Sequence, residues 1–388
     1  MMKNKKTFYS IVAVALAAII LSGCISDYEA VEVDDLSGLL VVEGVILEEG
    51  TKITLSRTVK LNEALSQNHL FEGVNYATIH IIDEAYNVVA VAEQYDWGKY
   101  IVNEKITFIP GMKYALDIEV YWKHYQSAFV EPLFSPEIDS VNWTLNTDNS
   151  IDIMVSTHDP DNNTLDCLWS FEENWEIRSY YFSHLRYDPV TGTEIPLSLF
   201  GDNRYYCWAT ASSRSFLLAS SEKFGEAVIK DHKIHSLQPG NSRYSYLYSI
   251  NVKQYRLDRE TSLYFNNLQK NIDESGSLFA PQPSEITGNI QCLSDPDEPV
   301  IGYIFASRAT TARLFIPMSE WNLTRFEDQS FCDAEGQFMS LQDAYSYGYG
   351  ITGDRYLPFR CVDCTARYGV GYNPPTKNKP DFWPNDHR

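Results

Sequence analysis

The residue with the most distinctive chemistry stands near the N-terminus, where Leu21-Ser22-Gly23-Cys24 closes an apolar run. A thiol can carry a thioether-linked diacylglycerol, and small residues before it let a peptidase hold the chain extended. Lys3, Lys5 and Lys6 precede the run, which extends from Phe8 to Leu21 with Ser10 as its interruption. At about 14 residues it is shorter than the roughly 20 that a helix needs to span a bilayer. The pattern predicts a cleaved signal over residues 1–23 and a mature chain that begins at a lipidated Cys24. An ordinary secretory signal with an incidental cysteine is the plainer alternative. Acyl chains on that residue would hold the protein at a membrane, each buried methylene contributing about 0.8 kcal/mol.

Six other cysteines follow: Cys167, Cys207, Cys292, Cys332, Cys361 and Cys364. An even number in an exported chain makes all six disulfide candidates, and their pairing cannot be read from spacing. Cys361-Val-Asp-Cys364 has the spacing of a redox or zinc motif, but redox chemistry needs a helix that starts at the first cysteine. Pro358 lies before it and Gly369, Gly371, Pro374 and Pro375 after it, so no helix is expected and the cysteines read as staples of an irregular tail.

Other patterns reduce to bland readings. Asp159-Pro-Asp161-Asn-Asn163-Thr-Leu-Asp166 places oxygens at alternate positions but lacks the calcium loop's glycine and bidentate glutamate, so a solvated turn is expected, as at Asp295-Pro-Asp297-Glu298-Pro299. His232 and His235 would share a face on a helix but not on a regular strand, and no third ligand accompanies them. Gly348-Tyr-Gly350-Ile-Thr-Gly353 matches a dinucleotide fingerprint by letter but lacks its strand and helix. No cofactor or metal and no catalytic residue is expected. Glu172-Glu173 is one of many carboxylate pairs and carries no meaning by itself. The aromatic cluster Trp169, Trp175, Tyr180, Tyr181, Tyr205, Tyr206 and Trp208 is dense enough for a stacking platform. Aromatics also fill sheet cores. Tyr180, Tyr181, Tyr205, Tyr206 and Trp208 are the candidate contacts to an oligosaccharide or peptide.

These residues must be positioned by a mainly β chain. Over residues 114–123, Tyr114, Leu116, Ile118, Val120 and Trp122 alternate with Asp117, Glu119, Tyr121 and Lys123, the pattern of a half-buried antiparallel strand. Pro110-Gly111 before it fits a type II turn. Leu39–Ile46, Lys52–Arg57, Ala77–Ile82, Val88–Ala92 and Lys99–Asn103 are further strands at sandwich-like spacing. The expected organisation is a signal (1–23), an acidic tether (24–35), a sandwich of immunoglobulin or transthyretin type (36–134), and a second β-rich domain (135–388). Pro132 and Pro136 mark the linker. The second domain reads as strands at Ile138–Leu145, at Ile151, Ile153 and Val155, and over 244–252 with Tyr244, Tyr246, Tyr248, Ile250 and Val252 on one side. Further strands are expected at Glu285–Cys292 and Val300–Ile316. One amphipathic helix (258–275) stands out, with Asp258 as cap, Tyr264, Leu268 and Ile272 on its apolar face, and Gly276 as stop.

The chain carries 31 basic and 52 acidic residues, a formal charge of −21. Nucleic acid is a poor partner for such a surface, because phosphates require cations. Asp27, Glu29, Glu32, Asp34 and Asp35 crowd the tether, which is either a solvated linker or a signal for surface display.

The stretch Ser277-Leu-Phe-Ala-Pro-Gln-Pro-Ser-Glu-Ile-Thr-Gly-Asn-Ile290 resembles the lipoprotein family known as domain of unknown function 4249. Leu40–Gly44, the helix, Gly302-Tyr-Ile-Phe-Ala-Ser307, the Cys361–Cys364 pair and Lys379-Pro-Asp-Phe-Trp383 extend the resemblance over the mature chain. It brings no catalytic residues. It implies an accessory lipoprotein for uptake or surface assembly, since members are often encoded beside SusC-like TonB-dependent receptors, and names no ligand. The leading expectation is a non-catalytic outer-membrane lipoprotein, displayed at the cell surface, that binds such a receptor or its substrate. A surface glycan or peptide hydrolase with a site between the modules is the alternative expectation, and a purely structural surface protein a third.

Overall fold

The alternating runs become mainly antiparallel sheet. The computed structural model describes residues 38–59, 72–197, 204–213, 215–223, 225–274, 288–317, 319, 332–333, 335–366 and 375–385. The signal, Cys24, the acidic tether, Gly276 and most of the Pro-Gln-Pro stretch lie outside them. Among the described residues no helix is long and apolar enough to cross a membrane.

The first sheet runs in the order Ile290–Cys292, Lys123–Ser127, Tyr114–Val120, Thr78–Asp83, Val88–Asp96, Lys99–Ile101, Lys52–Arg57, Leu40–Gly44 and Ile301–Gly302. Its inward side chains, among them Leu40, Val42, Ile53, Leu55, Ile79, Ile81, Leu116 and Ile118, form one continuous core, as their period of two requires. Pro110-Gly111 makes the expected turn, with Gly111 at φ 76 and Met112 N donating to Ile109 O at 3.0 Å. The strand expected through 123 stops at Val120 instead. Tyr121 and Trp122 form a two-residue hairpin turn at φ 50 and 65, which puts Trp122 in solvent rather than on the buried face.

Residues 288–308 return to this sheet from far along the chain, and the segments that carry the family resemblance meet here. Gly302, at φ 142, pairs beside Val42 so closely that a Cβ would lie 2.1 Å from the Val42 carbonyl oxygen. Gly288 approaches Gly302 as tightly from the other side, where a Cβ would lie 1.9 Å from its oxygen. Only glycine fits such backbone contacts. Asn289 locks the return: its Nδ2 donates to Ile304 O at 2.7 Å and its Oδ1 accepts from Ile304 N at 2.8 Å. Asn289→Ala strands both groups of Ile304, whose side chain is fully buried, and should cost about 2–4 kcal/mol in urea unfolding. A loss below about 0.5 kcal/mol would show the clamp to be dispensable.

The Pro132–Pro136 segment is built in. Leu133–Phe134 and Ile46–Leu47 flank Ala306–Arg308 in a small parallel sheet, and Ser135 Oγ donates to Gln254 O at 3.1 Å and accepts from Arg256 N at 2.7 Å. Beyond it, Ile138–Leu145, Ile151–His158 and Val228–Leu237 form one sheet. A five-stranded sheet centred on Asp166–Arg178 and Leu247–Leu257 packs against it around Ile151, Ile153, Val155, Trp169, Tyr248, Ile250 and Val252. Tyr244 closes a short 3-10 turn, Ser242–Tyr244, so it and Tyr246 precede the strand instead of alternating within it.

The helix spans Arg259–Glu274, and Asp258 Oδ1 accepts from Thr261 N at 2.7 Å, the expected cap. It lays Phe265, Tyr264 and Leu268 on a cluster with Leu47, Leu168, Leu257 and Phe305. Ile272 is exposed, because the last turns run past that cluster.

Candidate functional site

The described residues after 331 fold onto the edge of the five-stranded sheet. Helix Leu341–Ser346, hairpin Tyr349–Thr352/Arg355–Pro358 and the one-turn helix Phe359–Val362 make a small unit there. The GxGxxG letters belong to this hairpin, with Gly348 and Gly353 at φ 79 and 60, and to no βαβ unit. Cys361 lies inside the one-turn helix Phe359–Val362, which follows Pro358 and ends one residue later, so no helix starts at the first cysteine.

The cysteines pair as Cys207–Cys364 and Cys332–Cys361, so the two residues of the CxxC bond to different partners as staples of the tail. Cys167 and Cys292 correct the expectation of six bonded cysteines: both are buried free thiols. One packs in the second core and the other in the first, so they serve as small apolar side chains. Burial pushes both thiols up, away from reactive thiolate.

Between the stapled unit and hairpin Leu185–Asp188/Thr193–Pro196 lies a cavity of about 300 Å³. Leu185, Tyr187, Leu197, Tyr345, Tyr349 and Phe359 supply its apolar wall. Tyr345 lies 5.5 Å from the Tyr187 ring and 5.3 Å from the Phe359 ring, centre to centre. Arg204 and Asp363 add one ion pair at 2.8 Å. Asp363 is held further by Thr365, whose N and Oγ1 donate to it at 2.9 and 2.6 Å. Arg204 Nε is buried without a hydrogen-bond partner among the described residues. Such a set of rings with one fixed charge pair can stack a planar or ring-shaped group and orient its polar edge.

The aromatic residues singled out from sequence surround this unit rather than line the cavity. Tyr180 and Tyr181 pack on Cys332, Leu357, Cys361 and Val362, and Tyr181 N donates to Cys361 O at 2.9 Å. Tyr205 and Tyr206 meet edge to face at 4.8 Å, and the Arg178 guanidinium lies 5.3 Å from the Tyr206 ring. Trp208 is buried with Leu247 and Trp383 and pairs with Thr376 of the tail. They join the tail to the sheet. The cavity residues gave no sequence signal of their own, because hairpin, tail and Arg204 lie far apart in the chain and converge only in the fold.

A second charged cluster was equally illegible. Glu173, 2% exposed, accepts from His235 Nε2 at 3.0 Å, from Tyr248 Oη at 2.7 Å and from Arg243, whose guanidinium lies 4.8 Å from the Trp175 ring. Burial, the largest influence on the Glu173 carboxyl, would raise it, but the hydrogen bonds and charges of His235 and Arg243 outweigh that and hold it below the usual range. A register shift around Ile234 lets His232 and His235 face the same way, onto the rings of Trp169 and Phe171, despite their spacing of three. Burial lowers the His232 imidazole. Asp159 closes a turn and pairs with Arg256 at 2.8 Å, and Glu298 accepts from Tyr125 and Lys123, so each acidic stretch has a carboxylate engaged within the protein. Among the described residues no three His, Cys, Asp or Glu gather as a metal would need.

The sequence matches the family described as Domain of unknown function (DUF4249) over residues 26–313, and the chain belongs to that family. No curated protein matches it.

Proposed function

We propose that this member of the DUF4249 family is a non-catalytic lipoprotein of the outer membrane, anchored through Cys24. It presents the C-terminal cavity to a small ligand, or to a segment of a SusC-like TonB-dependent transporter. The carrying observation is the cavity itself, a ring-lined space of about 300 Å³ with the Arg204–Asp363 pair on its wall. That volume is at the lower end of small-molecule sites, room for one sugar unit or one peptide side chain rather than a long polymer. The unpartnered Arg204 Nε is a donor that a hydroxyl or carboxylate of such a ligand would satisfy. Support for the anchor comes from the basic, apolar and Leu-Ser-Gly-Cys24 sequence of residues 3–24. Support for binding over hydrolysis comes from the lining: a glycosidase needs two carboxylates about 5–10 Å apart, and Asp363 is the one carboxylate among these lining residues.

The native protein, labelled with radioactive fatty acid and extracted in mild detergent, should carry label and co-purify with a SusC-like barrel. Cys24→Ala should abolish the label. Tyr345→Ala, which removes the ring between Tyr187 and Phe359, should cut recovery of the barrel or of a bound small ligand at least tenfold. Labelled protein isolated repeatedly alone and ligand-free would overturn the binding role, and unlabelled protein would overturn the anchor.

A further inference from the structure

The first sheet ends in a group of largely exposed rings. Tyr121 and Trp122 occupy the tight turn between Tyr114–Val120 and Lys123–Ser127, and Tyr76 precedes Thr78–Asp83; all three have left-handed φ, of 50, 65 and 61. Asn or Gly would occupy such positions with least strain. The rings gain no burial in exchange, being 57%, 104% and 93% exposed. Trp97, 68% exposed, joins them from the neighbouring turn, whose Gly98 N donates to Asn75 Oδ1 at 2.9 Å. Strained, solvent-facing aromatics at adjoining turns indicate a surface shaped for something outside the chain.

The position of this crown says what. Leu40 pairs with Arg57 at the same end of the sheet, and Arg57 donates to Gly38 O while its guanidinium lies 5.2 Å from the centre of the Tyr121 ring. The described chain therefore begins beside the crown. Residues 25–37 separate Gly38 from Cys24, a reach of at most about 50 Å. Tyr76, Tyr121 and Trp122 line a shallow depression with Thr78, Glu119, Lys123 and His124, and its two basic side chains are engaged within the protein, Lys123 by Glu298 and His124 by Asp117 at 2.6 Å. A sugar needs several directed hydrogen bonds, whereas a lipid interface asks only for amphipathic rings, and Trp and Tyr are the side chains that favour it.

We infer that Tyr76, Trp97, Tyr121 and Trp122 form a membrane-contacting crown that rests on the headgroup region of the bilayer to which Cys24 tethers the chain, and so fixes the orientation of the ectodomain. This rests on the anchoring proposed above. The test places the full-length protein in phosphatidylcholine vesicles with bromine-labelled acyl chains and reads quenching of tryptophan emission, with fatty-acid label at Cys24 measured in the same preparation. The wild-type protein should show clear quenching, and a Trp97→Phe/Trp122→Phe variant should lose at least four-fifths of it with an unchanged unfolding midpoint. Tyr76→Ser, which removes a fully exposed ring, should reduce quenching of the remaining crown at least twofold. Equal quenching in wild type and double variant, with label present, overturns the crown and leaves the anchor standing. Absence of label sinks the anchor, and the quenching difference then still decides the crown. Saturable binding of a soluble glycan at these rings without quenching by the labelled lipid also overturns it.

Discussion

With Cys207 and Cys364 both replaced by alanine, the chain loses about 5 kcal/mol of stability, and its C-terminal unit opens to protease before the sheets unfold. The bond spans 157 residues, and closing a loop of that length removes about 5 kcal/mol of entropy from the unfolded chain. The second bond spans 29 residues and by the same relation contributes about 3.5 kcal/mol. The larger effect belongs to Cys207–Cys364 because it ties the sheet edge to the tail and draws Arg204 toward Asp363; Cys364 N also donates to Arg204 O at 2.8 Å. Urea unfolding with and without reductant checks this. Reductant should destabilise the wild type by the two bonds together and the double variant by one alone. A change under about 1 kcal/mol in the double variant would mean that packing, not the covalent link, holds the tail.

Removing one member of the Glu173 cluster has the next largest effect. Glu173→Ala takes a carboxylate from the Arg243 guanidinium, which is 13% exposed, and breaking a buried ion pair by removing one partner costs about 3–5 kcal/mol. Glu173→Leu combined with Arg243→Met should recover most of the loss, because replacing both charges by apolar groups of similar volume is often close to neutral. The cluster also predicts a pH dependence. The folded Glu173 carboxyl is held below its ordinary value of 4.5, so its contribution is complete above that value and disappears as pH falls through the folded one. The stability difference between wild type and Glu173→Gln should therefore shrink on acidification below about pH 4.5. A difference independent of pH, or a single substitution that costs under 1 kcal/mol, would remove the cluster as a determinant of the second core.

What the sequence could disclose was local. The strand Lys52–Arg57 forms within the very residues its alternation marks, the Asp258 cap is in place, and Pro110-Gly111 turns as its ring and its missing Cβ dictate. Each depends on neighbours within a few positions, where periodicity and φ preferences act directly. The segments that carry the family resemblance include Gly288 and Gly302, where neighbouring backbone leaves no room for a Cβ, and Asn289, bonded twice to Ile304; Leu40–Gly44, Gly288–Ile290 and Gly302–Ser307 are the three stretches concerned. That these three segments meet at one seam could not be seen from them singly.

Tertiary structure decided everything that depends on distant partners. Six cysteines of equal standing divided into four that bond and two that fill separate cores, because only the fold sets which Cβ atoms approach. Trp122 has the right parity for the buried face but lies in the turn, two residues past the last residue of its strand, and Tyr244 and Tyr246 alternate correctly yet precede their strand. The His232–His235 spacing gained a common face through a local irregularity in strand pairing. The cavity is the extreme case: Tyr187, Arg204, Tyr345 and Asp363 lie up to 176 residues apart in the chain, and neither their types nor their spacing records the packing of hairpin against stapled tail that brings them together.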